Sequence, residues 1–583
     1  MFLASLFAFG IVISQRMLGD FDLPWHIALG RAVVALRAIP EVDPLAYTGQ
    51  HVRFIEPLTE VPLYALWQVG GALALQIAGG VLAFGIGYFL WRASRSPGPF
   101  VYVGVAFALA ATNSWLVVRP ATVSFLLIAL QLALIEVHRS APSRKVQRSV
   151  LAGWLGLQLF WASAHGFAFI GAGLCLSYAA YRACCWLARG RLGALLPVAD
   201  GVEALPTAIA AGLSALASML NAGGVIARTG PSRFSGDPAA RFELERITEN
   251  VLPSVDFYLR HEPLAPLLLL VALAALLFGR DDEGKRALPS AFDIGLVALG
   301  SIGLVWMVRA VPLAVLLVTP VIGRRLGSIL APTTVTRWAL ATAPCLAGGF
   351  ALLNPSMNLG VGFDPTHFPE RACEYIVKHD VRGHMFNFSP FGGYLAMTLG
   401  PERKTFMDGR VNTAHDPQLA LRADQAYTSE AAFRGLVDEF DMQYAVMSAR
   451  EGESFGIPLA RAGDWALVHF DDVAAVYVRK QGPNAGLAER GYLVFRHLMD
   501  MGEVLNLASQ GGSTAALLQH DGRLAVAQDP GSARAAFLLA CGELAARDTP
   551  AFLSALQRLS VLAPAHPAIG LLGARFRQLS TPP

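Results

Sequence analysis

Charged residues are scarce in this sequence, and their scarcity excludes an ordinary soluble globular protein. Only 15% of the 583 residues are Asp, Glu, Lys or Arg, whereas soluble domains average about 25%. Hydrophobic residues make up 54% of the chain and the mean hydropathy is +0.46, values that disordered and collagen-like chains do not reach. Neither sign of charge dominates, since 46 basic residues face 43 acidic ones, which argues against a nucleic-acid partner. The composition predicts a membrane protein.

Cysteines are also few, and the six present exclude a disulfide-stapled secreted domain. Four of them lie in or beside apolar runs, where a small apolar thiol is the usual interpretation: Cys175, Cys184, Cys185 and Cys345. Cys373 and Cys541 are left over, and pairing between them in an oxidising compartment stays open. No CxxC, HExxH or comparable ligand spacing occurs, so no metal site follows from spacing alone.

Eleven apolar runs approach the roughly 20 residues needed to cross a bilayer. They lie near 2–18, 62–91, 100–117, 121–137, 150–164, 167–187, 204–220, 263–279, 291–308, 311–323 and 336–353. The run at 62–91 is long enough to be tilted or split, and those at 150–164 and 311–323 are short enough to be partial. The first run lacks a basic leading region and a cleavage site, which favours a retained helix over a signal peptide.

No run of spanning length follows Leu353. We therefore predict a transmembrane domain over 1–353 and an outer, periplasmic α/β domain over 354–483. The α/β interpretation depends on β-like runs near 384–388, 404–407, 443–447, 466–470 and 474–479, with helical stretches near 367–378 and 417–439. A helical segment over 484–583 repeats its turns after about 36 residues, close to the 34-residue tetratricopeptide period. A helical appendix that only packs is an equal alternative.

Basic residues in short loops predict the orientation. They collect in one alternate set of loops: Arg92 and Arg95; Arg139, Arg144, Lys145 and Arg148; Arg182, Arg189 and Arg191; Arg280, Lys285 and Arg286; Arg324, Arg325 and Arg337. With eleven spans this alternation predicts a multi-pass protein of the bacterial inner membrane with a cytoplasmic N-terminus. The loops 18–61 and 221–262 and the whole tail then lie on the outer side.

The unusual polar residues all fall on that outer side. They are Asp20, Asp22, His26, Glu56, Glu60, Arg119, His165, Asn221, Glu249, Asn250 and Arg309. Each has a structural alternative: Asp20 and Asp22 suit the cap of a helix starting near His26, an arginine at a helix end often snorkels, and a histidine beside glycine often forms a turn. Together they suit group transfer from a lipid-anchored phosphate, because a carboxylate accepts a hydroxyl proton and arginine binds phosphate.

Several of these residues belong to phrases that resemble one protein family. Residues 20–31, Asp-Phe-Asp-Leu-Pro-Trp-His-Ile-Ala-Leu-Gly-Arg, resemble the Asp-x-Asp-x-x-Trp-His-Leu-x-x-Gly opening of a bacterial family of multi-spanning GT-C-like glycosyltransferases. Residues 39–48 resemble its next phrase, and 55–60 keep both glutamates of its third, with Ile55 and Pro57 in place of His and Trp. Later matches are 119–120, 161–166, 309–313, 386–395 and 407–410. The resemblance is collinear over about residues 1–480.

The resemblance implies a GT-C enzyme that moves a sugar from a polyprenyl-phosphate carrier to a glycan, lipid or protein acceptor on the outer face. It implies Asp22 as general base, with Asp20 second. Substrate-binding roles are implied for Arg119, Arg309 and His165 at the lipid phosphate, for Glu56 and Glu60 at acceptor hydroxyls, and for His26. A divalent cation is compatible with Asp20, Asp22 and Glu56, although no ligand spacing requires one.

A non-catalytic alternative stays open: a scaffold or transporter of a cell-envelope polysaccharide pathway, with a protein partner on the C-terminal helices. A transporter would place its ionisable residues near the bilayer midplane on broken helices. Here they are predicted at one interface, which favours an interfacial enzyme.

Overall fold

A computed structural model of the chain describes residues 1–51, 56–95, 98–141, 143–187, 204–221, 224–225, 248–279, 288–326, 333–354, 357–410, 414–450 and 452–580. The internal contacts divide it into two units, residues 1–41 with 52–363 and residues 42–51 with 364–583. Part of the predicted orientation pattern lies outside the described residues, namely Arg189, Arg191, Arg280, Lys285, Arg286 and most of the loop 221–262.

The first unit is helical. Its helices are α1 (Phe2–Ser14), α2 (Leu23–Leu36), α3 (Pro57–Ser94), α4 (Phe100–Ala111), α5 (Pro120–Arg139), α6 (Arg144–Ala162), α7 (Ala168–Leu187), α8 (Ala204–Ser218), α9 (Val255–Arg260), α10 (Leu264–Phe278), α11 (Ala291–Trp306), α12 (Val311–Leu326), α13 (Thr334–Leu340) and α14 (Ala343–Leu352). Short 3-10 turns lie at Asn113–Trp115, Thr248–Asn250 and Val308–Ala310, and β1 (Leu220–Asn221) pairs antiparallel with β2 (Gly224–Val225).

Each of the eleven apolar runs contains helix in the structure. The run at 62–91 lies in α3, which is broken at Gly70 and at Gly71 with its φ of 57°, a backbone conformation that glycine adopts without strain. The run at 336–353 is divided between α13 and α14. Among the described residues three helices, α3, α5 and α7, are long and apolar enough to cross a membrane, and six further apolar helices are shorter.

The core of this unit forms where apolar faces of these helices meet. α3 packs against α1, α2 and α5, while α12 packs against α4, α10 and α11. Phe9, Ile86, Leu109 and Trp154 are fully buried there. Small residues allow the closest helix approaches, and one of these, at Gly30, positions part of the candidate site.

The second unit combines helices with a four-stranded sheet. Its elements are α15 (Glu370–Lys378), β3 (His384–Asn387), α16 (Gly392–Leu399), α17 (Pro417–Ala426), α18 (Glu430–Phe440), β4 (Met442–Ser448), α19 (Ile457–Arg461), β5 (Trp465–Phe470), β6 (Ala474–Arg479), α20 (Ala485–Ala488), α21 (Met501–Gln510), α22 (Gly512–Gln528), α23 (Ala533–Ala545), α24 (Thr549–Leu562) and α25 (Ala568–Ser580). The sheet order is β3-β4-β6-β5, with β3 parallel to β4 and the other pairs antiparallel.

Four of the five predicted β-runs are strands here, and the fifth, at 404–407, is not. Thr405 forms only an isolated parallel bridge with Ala46, because its partner is the ten-residue segment 42–51 and not a full strand. That segment closes on itself through the Val42–His51 bridge. The structure therefore places residues 42–51 in the second unit, whereas the sequence analysis set them within the 1–353 domain.

The C-terminal helices are continuous with the sheet domain. The Gln528 amide on α22 donates to the Val468 carbonyl and accepts from the Phe470 N–H, both at β5. The Asp521 carboxylate accepts three backbone N–H groups of residues 493–495. Cys373 and Cys541 are separate, buried free thiols.

Candidate functional site

The two aspartates of the first loop, Asp20 and Asp22, make different contacts at the start of α2. Asp20 Oδ1 accepts the backbone N–H groups of Asp22 at 2.8 Å and Leu23 at 3.3 Å, so Asp20 caps the helix. Asp22 occupies the N-cap position without capping through its side chain. Its Oδ1 instead accepts the indole N–H of Trp25 at 3.1 Å. Both carboxylate oxygens of Asp20 are thus engaged, since Oδ2 also pairs with Arg119, whereas the Asp22 carboxylate retains capacity to accept a proton.

The environment of Asp22 raises its proton affinity. Burial raises the pKa of Asp22 to about 7, and the charge of Asp20 adds to this, whereas Arg119 and the Trp25 hydrogen bond oppose it. A carboxylate whose pKa lies near neutrality is suited to general-base catalysis at physiological pH.

A chain of alternating charges runs from Asp20 to Arg309. Arg119 Nη1 lies 3.4 Å from Asp20 Oδ2 and 3.0 Å from Glu249 Oε1, and Glu249 Oε2 lies 3.3 Å from Arg309 Nη2. We call these four residues the charge relay. Burial acts to raise the pKa of Glu249, but Arg119 and Arg309 outweigh it and hold that pKa below its usual value. The relay is neutral overall, with two carboxylates and two guanidiniums.

A second group joins α2 to the start of α3. His26 Nδ1 lies 3.3 Å from Glu60 Oε1, and both side chains are buried. Gly30, one helical turn after His26, permits this approach: a Cβ at that position would lie 2.1 Å from the Glu60 carbonyl oxygen. Glu56 directly precedes α3 without capping it through its side chain, and its Oε1 accepts the Gly166 N–H at 3.0 Å.

His165 faces this second group as a neutral imidazole. Its Nδ1 accepts the Phe167 N–H at 3.3 Å and lies 2.8 Å from Ser124 Oγ. Because Nδ1 accepts the Phe167 N–H, it carries no proton. The Ser124 hydroxyl, which accepts the Trp161 indole N–H at 2.7 Å, therefore donates to Nδ1, and the ring proton resides on Nε2, 3.9 Å from Glu56 Oε1. Burial, with the charges of Arg309 and Arg119, lowers the pKa of His165 to about 3.

The predicted site residues thus fall into two adjoining sets. Asp20, Arg119 and Arg309 join through Glu249, while His26, Glu56, Glu60 and His165 meet at the start of α3. Asp22 connects the two sets electrostatically, because its charge acts on both Arg119 and Glu56.

A pocket beside Asp20 contains a residue that the sequence analysis missed. The pocket is lined by the polar residues Arg16, Asp20 and Gln76 and otherwise mostly by apolar residues. Arg16 is half-buried, donates to the Asn113 carbonyl oxygen at 3.4 Å and has no carboxylate within ion-pair distance among the described residues. Its only signal in the sequence is a lone charge directly after the first apolar helix, which is also typical of snorkelling.

The second unit contains its own buried charge cluster. Arg410 donates to both carboxylate oxygens of Asp43, at 3.0 and 2.9 Å, and also pairs with Asp408, which His415 contacts at 3.1 Å. Burial acts to raise the pKa of Asp408, but the charges of Arg410 and His415 outweigh it and hold that pKa well below its usual range. The motif at 408–410 therefore forms a local ion-pair network. Next to it, the Gly392 backbone lies close to Met407: a Cβ on Gly392 would lie 2.0 Å from the Met407 carbonyl oxygen.

The comparisons with known proteins concern membrane enzymes. No family model and no curated protein matches the sequence. The chain is similar to the crystal structure of ArnT from Cupriavidus metallidurans bound to undecaprenyl phosphate, at 13% identity and a TM-score of 0.47 over 82% of this chain and 97% of that one. It is also similar to the Archaeoglobus fulgidus oligosaccharyltransferase in the apo form, at 12% identity and a TM-score of 0.47 over 77% and 70%. Both have the GT-C fold.

Proposed function

We propose that this chain is a membrane glycosyltransferase that transfers a sugar from a polyprenyl-phosphate carrier to an acceptor hydroxyl on the outer face of the membrane. The observation that carries the proposal is Asp22, a half-buried carboxylate with a pKa of about 7 beside the charge relay and its two arginines. General bases of hydroxyl groups work best when their pKa lies near the working pH.

In the proposed inverting reaction, the acceptor oxygen attacks the anomeric carbon of the donor sugar. The bond from that carbon to the phosphate oxygen breaks, and polyprenyl phosphate leaves with the bonding pair. Asp22 takes the acceptor proton. Stabilisation of the leaving phosphate by fixed positive charge supplies a large part of the rate.

Arg309 and Arg16 are the cations best suited to the phosphate. The Arg119 side chain is 11% exposed and lies between two carboxylates, whereas Arg309 is 35% exposed and pairs with one carboxylate of the charge relay. A guanidinium has five N–H donors, so Arg309 retains donors beyond its Glu249 contact. Arg16 adds a positive charge that the neutral relay lacks, at the wall of the small pocket beside Asp20.

The finer features predicted from the sequence belong to the same proposal. They are eleven crossings, a cytoplasmic N-terminus, an outer α/β domain over 354–483 and a tetratricopeptide-like segment over 484–583. Reporter fusions test the orientation: a fusion after Ser140 should report the cytoplasm and one after Pro583 the periplasm. The reverse pattern would contradict it.

The proposed transferase function is tested by measuring the turnover rate of the Asp22→Asn variant. The full-length protein in lipid nanodiscs is incubated with polyprenyl-monophosphate pentoses and hexoses and a detergent extract of bacterial envelope as acceptor, and released polyprenyl phosphate is measured. We expect Asp22→Asn to lose about 100-fold or more, as removal of a general base does. Asp256→Asn, an exposed carboxylate on α9, is the matched control and should retain the wild-type rate. Equal rates for Asp22→Asn and wild type would overturn the assignment.

A further inference from the structure

The two ends of the first loop bring together three buried metal-ligand side chains. A ring nitrogen of His26 and one carboxylate oxygen each of Glu56 and Glu60 all lie within 4.8 Å of one another. The three residues are 4%, 7% and 1% exposed. We propose that His26, Glu56 and Glu60 bind one divalent cation of the zinc or manganese class. This site differs from the Asp20, Asp22 and Glu56 set suggested by the sequence, because Asp20 caps α2 and pairs with Arg119.

The spacing of the ligand atoms fits a small cation. Ligands about 2.1 Å from a tetrahedral zinc lie about 3.4 Å from one another, and His26 Nδ1 is 3.3 Å from Glu60 Oε1. The Glu56 and Glu60 carboxylates, with oxygens within 4.8 Å of each other, repel each other strongly when both are ionised and buried. A divalent cation between them converts that repulsion into attraction and allows both to remain ionised.

The donor set selects the class of metal. One imidazole nitrogen with two carboxylate oxygens suits zinc or manganese, whereas calcium and magnesium prefer sites made entirely of oxygen ligands. Three protein ligands also leave at least one coordination position open, as in catalytic rather than structural zinc sites. A water molecule or a hydroxyl of a substrate is suited to that position.

The surrounding residues hold the ligands in place. The Gly166 N–H donates to Glu56 Oε1, and the Nε2–H of His165 faces the same oxygen at 3.9 Å. The Trp25 ring lies against His26, with ring centroids 3.5 Å apart. Such outer contacts fix ligand orientation, and their loss typically weakens metal affinity about 10–100-fold.

The other cluster of metal-ligand residues gives the contrasting case. Asp43, Asp408 and His415 in the second unit also lie within 4.8 Å of one another, but Arg410 already donates to both Asp43 oxygens and to Asp408. A guanidinium supplies the positive charge there, so that cluster needs no cation. In the cluster around Glu56, the Glu56 carboxylate accepts the Gly166 N–H and faces the His165 ring at 3.9 Å.

Metal content tests the proposal independently of turnover. The full-length protein is stripped with chelator, dialysed separately against Zn²⁺, Mn²⁺ or Mg²⁺, and analysed by inductively coupled plasma mass spectrometry. We expect about one equivalent of Zn²⁺ or Mn²⁺ per chain and no stable Mg²⁺. The double variant His26→Gln, Glu60→Gln should lose the equivalent, while Asp256→Asn should retain it. An unchanged stoichiometry in the double variant, or no bound metal in the wild type, would overturn the site.

Two further variants keep the result interpretable. If the double variant does not fold, Glu60→Asp, which keeps the carboxylate, should bind the same metal about 10–100-fold more weakly; wild-type affinity for Glu60→Asp would then contradict a ligand role. Asp22→Asn should keep its metal although it loses turnover. An inactive wild type that binds metal would therefore contradict the proposed function and leave the cation site supported.

Discussion

Asp20 and Asp22 are two residues apart, yet their side chains make different contacts. Replacing each of them by asparagine in turn distinguishes their proposed roles. Asparagine keeps the Asp20 side-chain oxygen that caps α2 but removes a charge that raises the pKa of Asp22. Wild-type kcat/KM should increase as the pH rises through about 7, because Asp22 must be ionised to take a proton. In Asp20→Asn the pKa of Asp22 falls, so that rise should occur at lower pH. A pH profile of each variant measures this.

Comparison of the activities of the Asp20→Asn and Asp22→Asn variants also identifies which aspartate is the general base. If Asp20 were the base, Asp20→Asn would lose turnover at every pH. An unshifted profile in an active Asp20→Asn protein would contradict the proposed electrostatic coupling between the two carboxylates.

Arg16 gives a second prediction at the residue scale. A charge-assisted hydrogen bond contributes about 1.5–3 kcal/mol, so Arg16→Gln should weaken binding of polyprenyl phosphate about 10–100-fold. Competition by polyprenyl phosphate against a labelled donor measures the affinity. Arg260→Gln, which removes an exposed arginine on α9, is the matched control. For both proteins, inorganic phosphate should compete with the donor less strongly than polyprenyl phosphate does, since it lacks the lipid part of the donor.

The contact between α2 and α3 depends on Gly30. A methyl group there would meet the Glu60 backbone at 2.1 Å, and overpacking of this kind typically costs about 1–3 kcal/mol. We expect Gly30→Ala to lower the melting temperature in detergent and to reduce metal content, because α2 must move away and carry His26 with it. Gly156→Ala on α6, where a Cβ meets nothing within 4 Å, should leave both unchanged. Equal behaviour of the two variants would contradict this packing argument.

At the element scale, Arg410 holds the segment 42–51 against the core of the second unit. Arg410→Ala leaves Asp43 and Asp408 buried without their shared cation, and breaking a buried pair in this way costs about 3–5 kcal/mol. Thermal unfolding of the full chain should show this decrease in the free energy of unfolding as a lower melting temperature. Arg434→Ala, which removes exposed ion pairs, should change stability by less than about 1 kcal/mol. A small effect of Arg410→Ala would mean that the two carboxylates find another partner.

The helices were largely predictable from sequence, because periodicity and run length are local properties. Contacts between distant residues were not. The link from Arg119 through Glu249 to Arg309 depends on how three loops meet, and no spacing in the chain encodes it. The segment 42–51 was assigned to the loop in which it lies along the chain. Partners such as Thr405 and Arg410 become visible only in the fold.

At the scale of the whole molecule, a C-terminal truncation distinguishes an enzyme from a scaffold only if the removed segment is not needed for the folding of the sheet domain. Removal of 487–583 would expose β5, since Gln528 and Tyr492 on the removed part bond to its backbone and to each other. We expect that truncation to abolish folding under either function. Removal of 564–583 takes away only α25 and should leave transferase activity intact. Loss of activity with normal donor binding would favour a partner-dependent scaffold.

The bond between Asp43 and Arg410 also sets an order of events during synthesis. The two residues are 367 positions apart, and translation at about 5–20 residues per second separates their appearance by roughly 20 to 70 s. During this interval the first loop has already been made, while the domain that encloses it has not. The Asp43 carboxylate, and the Leu45 carbonyl and Tyr47 N–H that bond to Thr405, therefore lack these late partners until then. The second unit can therefore complete its fold only after Arg410 has been synthesised and has paired with the early segment 42–51.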